Sequence, residues 1–180
     1  MKKVTREEIH GDPCAMFDTS ELESLQEEME TWRDNLSGTA LENTEKFQTV
    51  SECADTLADG VQSIQDGIEE LEGFLDGLEV EGLHADEKFT MTKLPPKAGR
   101  FKRFDRAVSL LAAVLDTIEQ RLREAHDALY QEPNPEGAGS EIIENEKNQE
   151  RLDALEAAAE KAAEVRDIVE GLEPDFPGMY

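Results

Sequence analysis

A chain of 180 residues with 18 Lys and Arg against 43 Asp and Glu carries a formal charge of −25. Repulsion sets such a chain against DNA, RNA and anionic membrane surfaces, so basic surfaces are its natural partners. Hydrophobic residues at 38% suffice for one core, and aromatics at 6% suit layers of Leu, Ile, Val and Ala between helices. The longest apolar run, Leu110 to Leu115, is far too short to cross a bilayer.

The opening MKKVTREEIHGD has positive charge but no apolar stretch behind it, so no secretory signal peptide is expected. Residues 1–19 read as an irregular arm broken by Gly11 and Pro13. Cys14 falls in this arm. Cys53 falls on a helix flank, where a small buried thiol is expected, and two cysteines make no disulfide framework.

Ser20 with Glu23 three residues later forms a capping-box pattern that starts a first helix. Its apolar stripe is Leu22, Leu25, Met29, Trp32 and Leu36, and Ser37-Gly38 ends it. A second helix is expected from about Leu41 to Glu79, roughly 58 Å at 1.5 Å per residue. Its seam runs Val50, Ala54, Leu57, Val61, Ile64, Ile68, Leu71, Leu75 and Leu78 in alternating steps of four and three. That spacing holds one stripe toward another helix. Beside the seam, Cys53, Gly60, Gly67 and Phe74 recur every seven residues. Glycine weakens a helix by about 1 kcal/mol relative to alanine, so two at one heptad position point to a close neighbour. Asp55, Asp59, Asp66, Glu69 and Asp76 occupy the opposite, solvated face.

Residues 80–102 form a basic connector. Lys88 to Leu94 alternates loosely as a short strand or extended segment, and Pro95-Pro96 forbids helix. A third helix is expected from Arg103 to Gln131, with the seam Phe104, Val108, Leu111, Leu115, Ile118, Leu122, Ala125 and Leu129. Gln131 to Gly139 is a loop. A fourth helix from Ser140 to about Gly171 has a thin Ala-rich stripe that shifts register at Arg166, so loose packing, or packing on a partner, is expected. Residues 173–180 are a tail with enough apolar content to dock. The expected fold is all-α: an elongated antiparallel helical bundle or coiled-coil hairpin of about four helices. Residues 20–79 form its stable hairpin and 103–172 a second helical pair.

Charge is uneven along these pieces. Residues 41–79 and 132–180 each sum to −10, whereas 80–102 sum to +2. The basic island is Lys93, Lys97, Arg100, Lys102, Arg103 and Arg106, interleaved with Phe101 and Phe104. It suits either an acidic partner or phosphate, or an internal tether to the chain's own acidic helices. The overall charge favours the tether and disfavours direct nucleic-acid binding.

Catalytic signals are sparse. Glu27, Glu30, Glu52 and Asp55 resemble, in spacing alone, the ExxE and ExxD carboxylates by which all-α nucleotide pyrophosphohydrolases hold magnesium. Three of the four lie off the apolar seams, so they are not expected to converge. His10, His84 and His126 stand far apart, and the segment from His10 to Cys14 is too short for half a zinc site. There is no nucleophile elbow and no phosphate-binding glycine loop. No catalytic residue, cofactor or metal is therefore expected.

Glu28-Met-Glu-Thr-Trp-Arg-Asp-Asn-Leu36, followed by the helix ending Glu69-Glu-Leu-Glu72, resembles a segment of small uncharacterised acidic helical proteins of tailed bacteriophages. The resemblance covers residues 20–80, about a third of the chain. It implies a viral source, in host cytoplasm or virion, and a non-catalytic helical protein. The expected function is contact with another protein or with a second copy. The candidate interaction residues are Gly60, Gly67, Phe74, Lys97, Arg100, Lys102, Arg103 and Arg106, with no membrane partner. The alternative is an acidic DNA mimic that occupies the groove of a nucleic-acid-binding defence enzyme, and a second alternative is the magnesium-dependent hydrolase.

Overall fold

The computed structural model describes residues 5–130 and 141–178; the loop expected at Gln131 to Gly139 lies outside them. Most of the described residues are helical. The helices are α1 (Ser20–Leu36), α2 (Glu45–Leu75), α3 (Arg100–Tyr130) and α4 (Glu141–Glu170). One small sheet accompanies them, in which β1 (Arg6–Gly11) pairs antiparallel with β2 (Glu87–Thr92).

The sheet corrects the reading of residues 1–19 as an irregular arm. Glu7, Ile9 and Gly11 turn inward while Arg6, Glu8 and His10 face solvent, the period-two alternation of a half-buried strand. Ile9 lies opposite Phe89, which is buried. A single 3₁₀ turn, Pro13–Ala15, follows β1, with Asp12 capping it by accepting the Cys14 N–H at 2.9 Å. The extended reading of residues 88–94 holds for the segment that becomes β2.

Caps set the helix ends. The N-cap of α1 is Thr19, one residue before the expected Ser20, and Asp18 accepts the Ser20 N–H at 2.9 Å. Thr19 Oγ1 donates to Glu23 at 2.6 Å, so Glu23 bonds the N-cap side chain rather than its backbone. Ser37 ends α1 and Gly38 takes φ +72°. Thr44 caps α2 through the Phe47 N–H, which delays the helix from Leu41 to Glu45. Gly77 at φ +81° follows its end at Leu75, short of the expected Glu79. α3 begins at Arg100, three residues early, just after Gly99.

Both seams face the core. Val50, Ala54, Leu57, Ile64 and Leu71 of α2 are fully buried, as are Leu115, Ile118 and Leu122 of α3. The expectation of loose packing for α4 fails. Ala158, Ala162, Val165 and Val169 are fully buried, because alanine lets α4 come close to α2 and α3. Arg166 does not break the stripe. It reaches sideways to Asp116, at 2.8 Å, and to Glu119 on α3. The tail docks as expected: Leu172 is buried, and Phe176 meets Phe104 edge-on with ring centroids 5.6 Å apart. No described helix is long and apolar enough to cross a membrane.

Candidate functional site

The glycines of α2 find their neighbour inside the chain. A Cβ on Gly60 would overlap the Leu172 side chain, and one on Gly67 would lie 2.8 Å from Val165 Cγ2. Seven residues forward on α2 correspond to seven backward along the α4 segment and its end, so the two run antiparallel. Gly60 and Gly67 are therefore occupied by α4 rather than open to a second protein. Phe74, in the same heptad row, is 45% exposed. Glu72 and Asp76 beside it are also exposed.

The basic island divides in two. Its arginines act as the internal tether. Arg100 Nε donates to Glu28 at 3.0 Å, Arg103 Nε to Glu21 at 2.6 Å, and Arg103 Nη1 to the other oxygen of Glu28. Arg106 pairs with Glu7 of β1. Burial works to raise the Glu28 carboxyl, but hydrogen bonds and charge from Arg103 and Arg100 outweigh it and hold the group below its ordinary value. Arg100 also stands 5.0 Å from the centre of the Trp32 ring, and Lys46 stands 5.1 Å from it. These contacts join the start of α3 to α1 and β1.

The lysines of the island make no ion pair among the described residues. Lys93, Lys97 and Lys102 are exposed, and so is Phe101, at 67%. Between β2 and the start of α3 lies an open groove of about 910 Å³, lined by Leu94, Pro95, Pro96 and Phe101, with Lys93 and Lys102 among its polar residues. Pro95-Pro96 holds the connector away from helix geometry, and the turn in which Ala98 donates to the Pro95 carbonyl at 3.1 Å brings the chain back into α3. The result is an apolar slot whose rim carries Lys93, Lys102 and Arg106 against one carboxylate, Asp105. Sequence reasoning had the residue types but not the slot, because the slot needs β2 and α3 side by side.

Glu27, Glu30, Glu52 and Asp55 do not gather into a ligand set. Asp55 pairs with Arg33 at 2.9 Å, Glu30 accepts from Gln26, and Glu52 accepts from Gln48. The group of potential metal ligands that does come together among the described residues is Asp12, Cys14 and His84. Cys53 is buried in the core, and burial, with help from Asp175, pushes its thiol up to about 11. The chain matches no family model, no curated protein and no solved structure.

Proposed function

We propose that this is a non-enzymatic interaction protein, built as an antiparallel helical bundle, that acts by binding other protein chains and first of all a second copy of itself. The observation that carries the reading is the pairing of two surfaces. One is the Phe101 groove with unpaired Lys93, Lys97 and Lys102 on or beside its rim; the other is the Phe74 end of α2, an exposed aromatic set among carboxylates. The slot and the projecting ring are complementary in shape class and in charge. Where each copy offers its ring to one neighbour and its groove to another, the contact is heterologous and propagates head to tail into rings or filaments. The resemblance of residues 20–80 supports an accessory or structural role in a tailed bacteriophage, in host cytoplasm or virion.

Light scattering across a salt series tests the reading. Two chains of −25 repel, and salt shortens the reach of that repulsion to about 8 Å at physiological ionic strength. Salt also screens the few lysine–carboxylate pairs across the contact, but the repulsion between two chains of −25 is the larger effect, so self-association tightens as salt rises. A strict monomer at every salt and protein concentration contradicts it.

A second reading, the acidic DNA mimic, draws on the exposed carboxylates Asp55, Asp59, Asp66 and Glu69 of α2 and Asp76 at its C-cap. It predicts a complex with a basic DNA enzyme that weakens, rather than tightens, with salt.

A further inference from the structure

We propose that Asp12, Cys14 and His84 form a binding site for a zinc-class divalent cation, with a carboxylate oxygen, a thiolate sulfur and an imidazole nitrogen as ligands and a fourth position left to water. One ligand atom from each residue lies within 4.8 Å of the other two. His84 Nδ1 and Asp12 Oδ2 are 2.9 Å apart, and Cys14 Sγ lies 4.0 Å from the carbonyl oxygen of Leu83, the residue before the histidine. Tetrahedral zinc with bonds of 2.0–2.3 Å spaces its donor atoms by roughly 3.3–3.7 Å. The three side chains reach that spacing by small side-chain adjustments.

Each limb of the site is held by contacts of its own. Asp12 is fixed by capping the 3₁₀ turn: one carboxylate oxygen takes the Cys14 N–H and the other faces the histidine. Pro13 between the two ligands is buried. On the opposite limb, Leu83 is fully buried. Arg121 of α3 donates to the Leu83 carbonyl at 2.9 Å and to the Ala85 carbonyl at 2.8 Å, bracketing His84 from both sides. Supporting contacts of this kind orient ligands before the metal arrives. The His84 side chain is 65% exposed, which leaves an entry path from solvent.

The donor set selects the ion. Sulfur, nitrogen and oxygen together suit a borderline-soft cation, whereas magnesium and calcium require oxygen donors throughout. On binding, the Cys14 S–H gives its proton to solvent and the sulfur coordinates as thiolate. The bound ion then ties the turn after β1 to the loop before β2.

Cobalt(II), titrated into the reduced full-length protein, reports the sulfur ligand directly, and zinc then competes for the site. The expected result is a thiolate-to-cobalt charge-transfer band that saturates at one equivalent and vanishes when zinc is added. Cys14→Ser should abolish the band. Asp12→Asn and His84→Ala should each weaken binding by about tenfold or more, while Cys53→Ser leaves it intact. Far-ultraviolet circular dichroism establishes that each variant is folded. No band in the wild type, a band that survives Cys14→Ser, or affinity indifferent to His84→Ala would overturn the site.

Discussion

Gly67 of α2 lies directly beneath Val165 of α4, so close that a methyl group on the glycine would stand 2.8 Å from Val165 Cγ2. Val165 is fully buried and β-branched, so it has little freedom to move aside. The heptad glycines are what allow α4 to settle onto α2.

Substitutions at two glycines of α2 should therefore differ in sign. Gly67→Leu forces α4 outward and should destabilise the fold by about 1–3 kcal/mol. Gly73 has open space around it and ordinary helical geometry. Gly73→Ala should stabilise the protein by about 0.5–1 kcal/mol through helix propensity alone. Urea unfolding of the two variants beside the wild type checks both signs.

Ile64 is fully buried in the α2 seam. Ile64→Asp places a charge there without a partner and should cost several kcal/mol, on the order of the penalty for an unpaired buried polar group. Unchanged helicity and an unchanged unfolding midpoint in that variant would remove the seam from the core.

Glu28 supplies a pH-dependent contribution with a defined sign. Its carboxyl is held below its ordinary value of 4.5 in the folded chain, despite burial, by Arg103 and Arg100. A lowered folded-state value means the contribution is complete at neutral pH and disappears as pH falls through that lowered value. The gap in unfolding midpoint between wild type and Glu28→Gln should be open at pH 7 and should close on acidification to well below pH 4.5. A gap of constant size down to strongly acid pH would show that Glu28 does not act through its ionised form.

Much of the helical architecture was legible because its signals are local. Alternating steps of four and three mark the seams from Val50 to Leu71 and from Phe104 to Leu122 as core-facing, with Val108 half-buried at the edge. The docking of Phe176 and the arginine tether also followed, from apolar content and from charge. What was not legible depends on segments that meet only in the fold. Ile9 looks unremarkable in an arm until Phe89 lies opposite it. The α4 stripe looks thin because alanine contributes little area by itself, yet Gly60 and Gly67 leave room on α2 for Leu172 and Val165 to dock, and that fit shows only when the two helices are side by side. Of the candidate interaction set, Arg100, Arg103, Arg106, Gly60 and Gly67 have partners within the chain, while Phe74, Lys97 and Lys102 remain on the surface. Cys14 and His84 are 70 residues apart in the sequence, and only the pairing of β1 with β2 places them together.

Replacing Glu27, Glu30, Glu52 and Asp55 together by their amides tests the hydrolase alternative. The expected outcome is no magnesium-dependent nucleotide hydrolysis in either wild type or variant. Hydrolysis present in the wild type and lost in the variant would establish the enzymatic reading instead.

If the Phe74 end of one copy seats in the Phe101 groove of another, two variants that each lack one half of the contact should complement each other when mixed. Phe74→Gln keeps the groove but lacks the ring, and Phe101→Asp keeps the ring but spoils the groove. Analytical ultracentrifugation should find each variant monomeric alone, the wild type forming larger species with concentration, and an equimolar mixture of the variants forming a one-to-one heterodimer and nothing larger. A mixture that stays monomeric while the wild type associates, or variants that associate as well as the wild type, would rule out contact between Phe74 and the Phe101 groove.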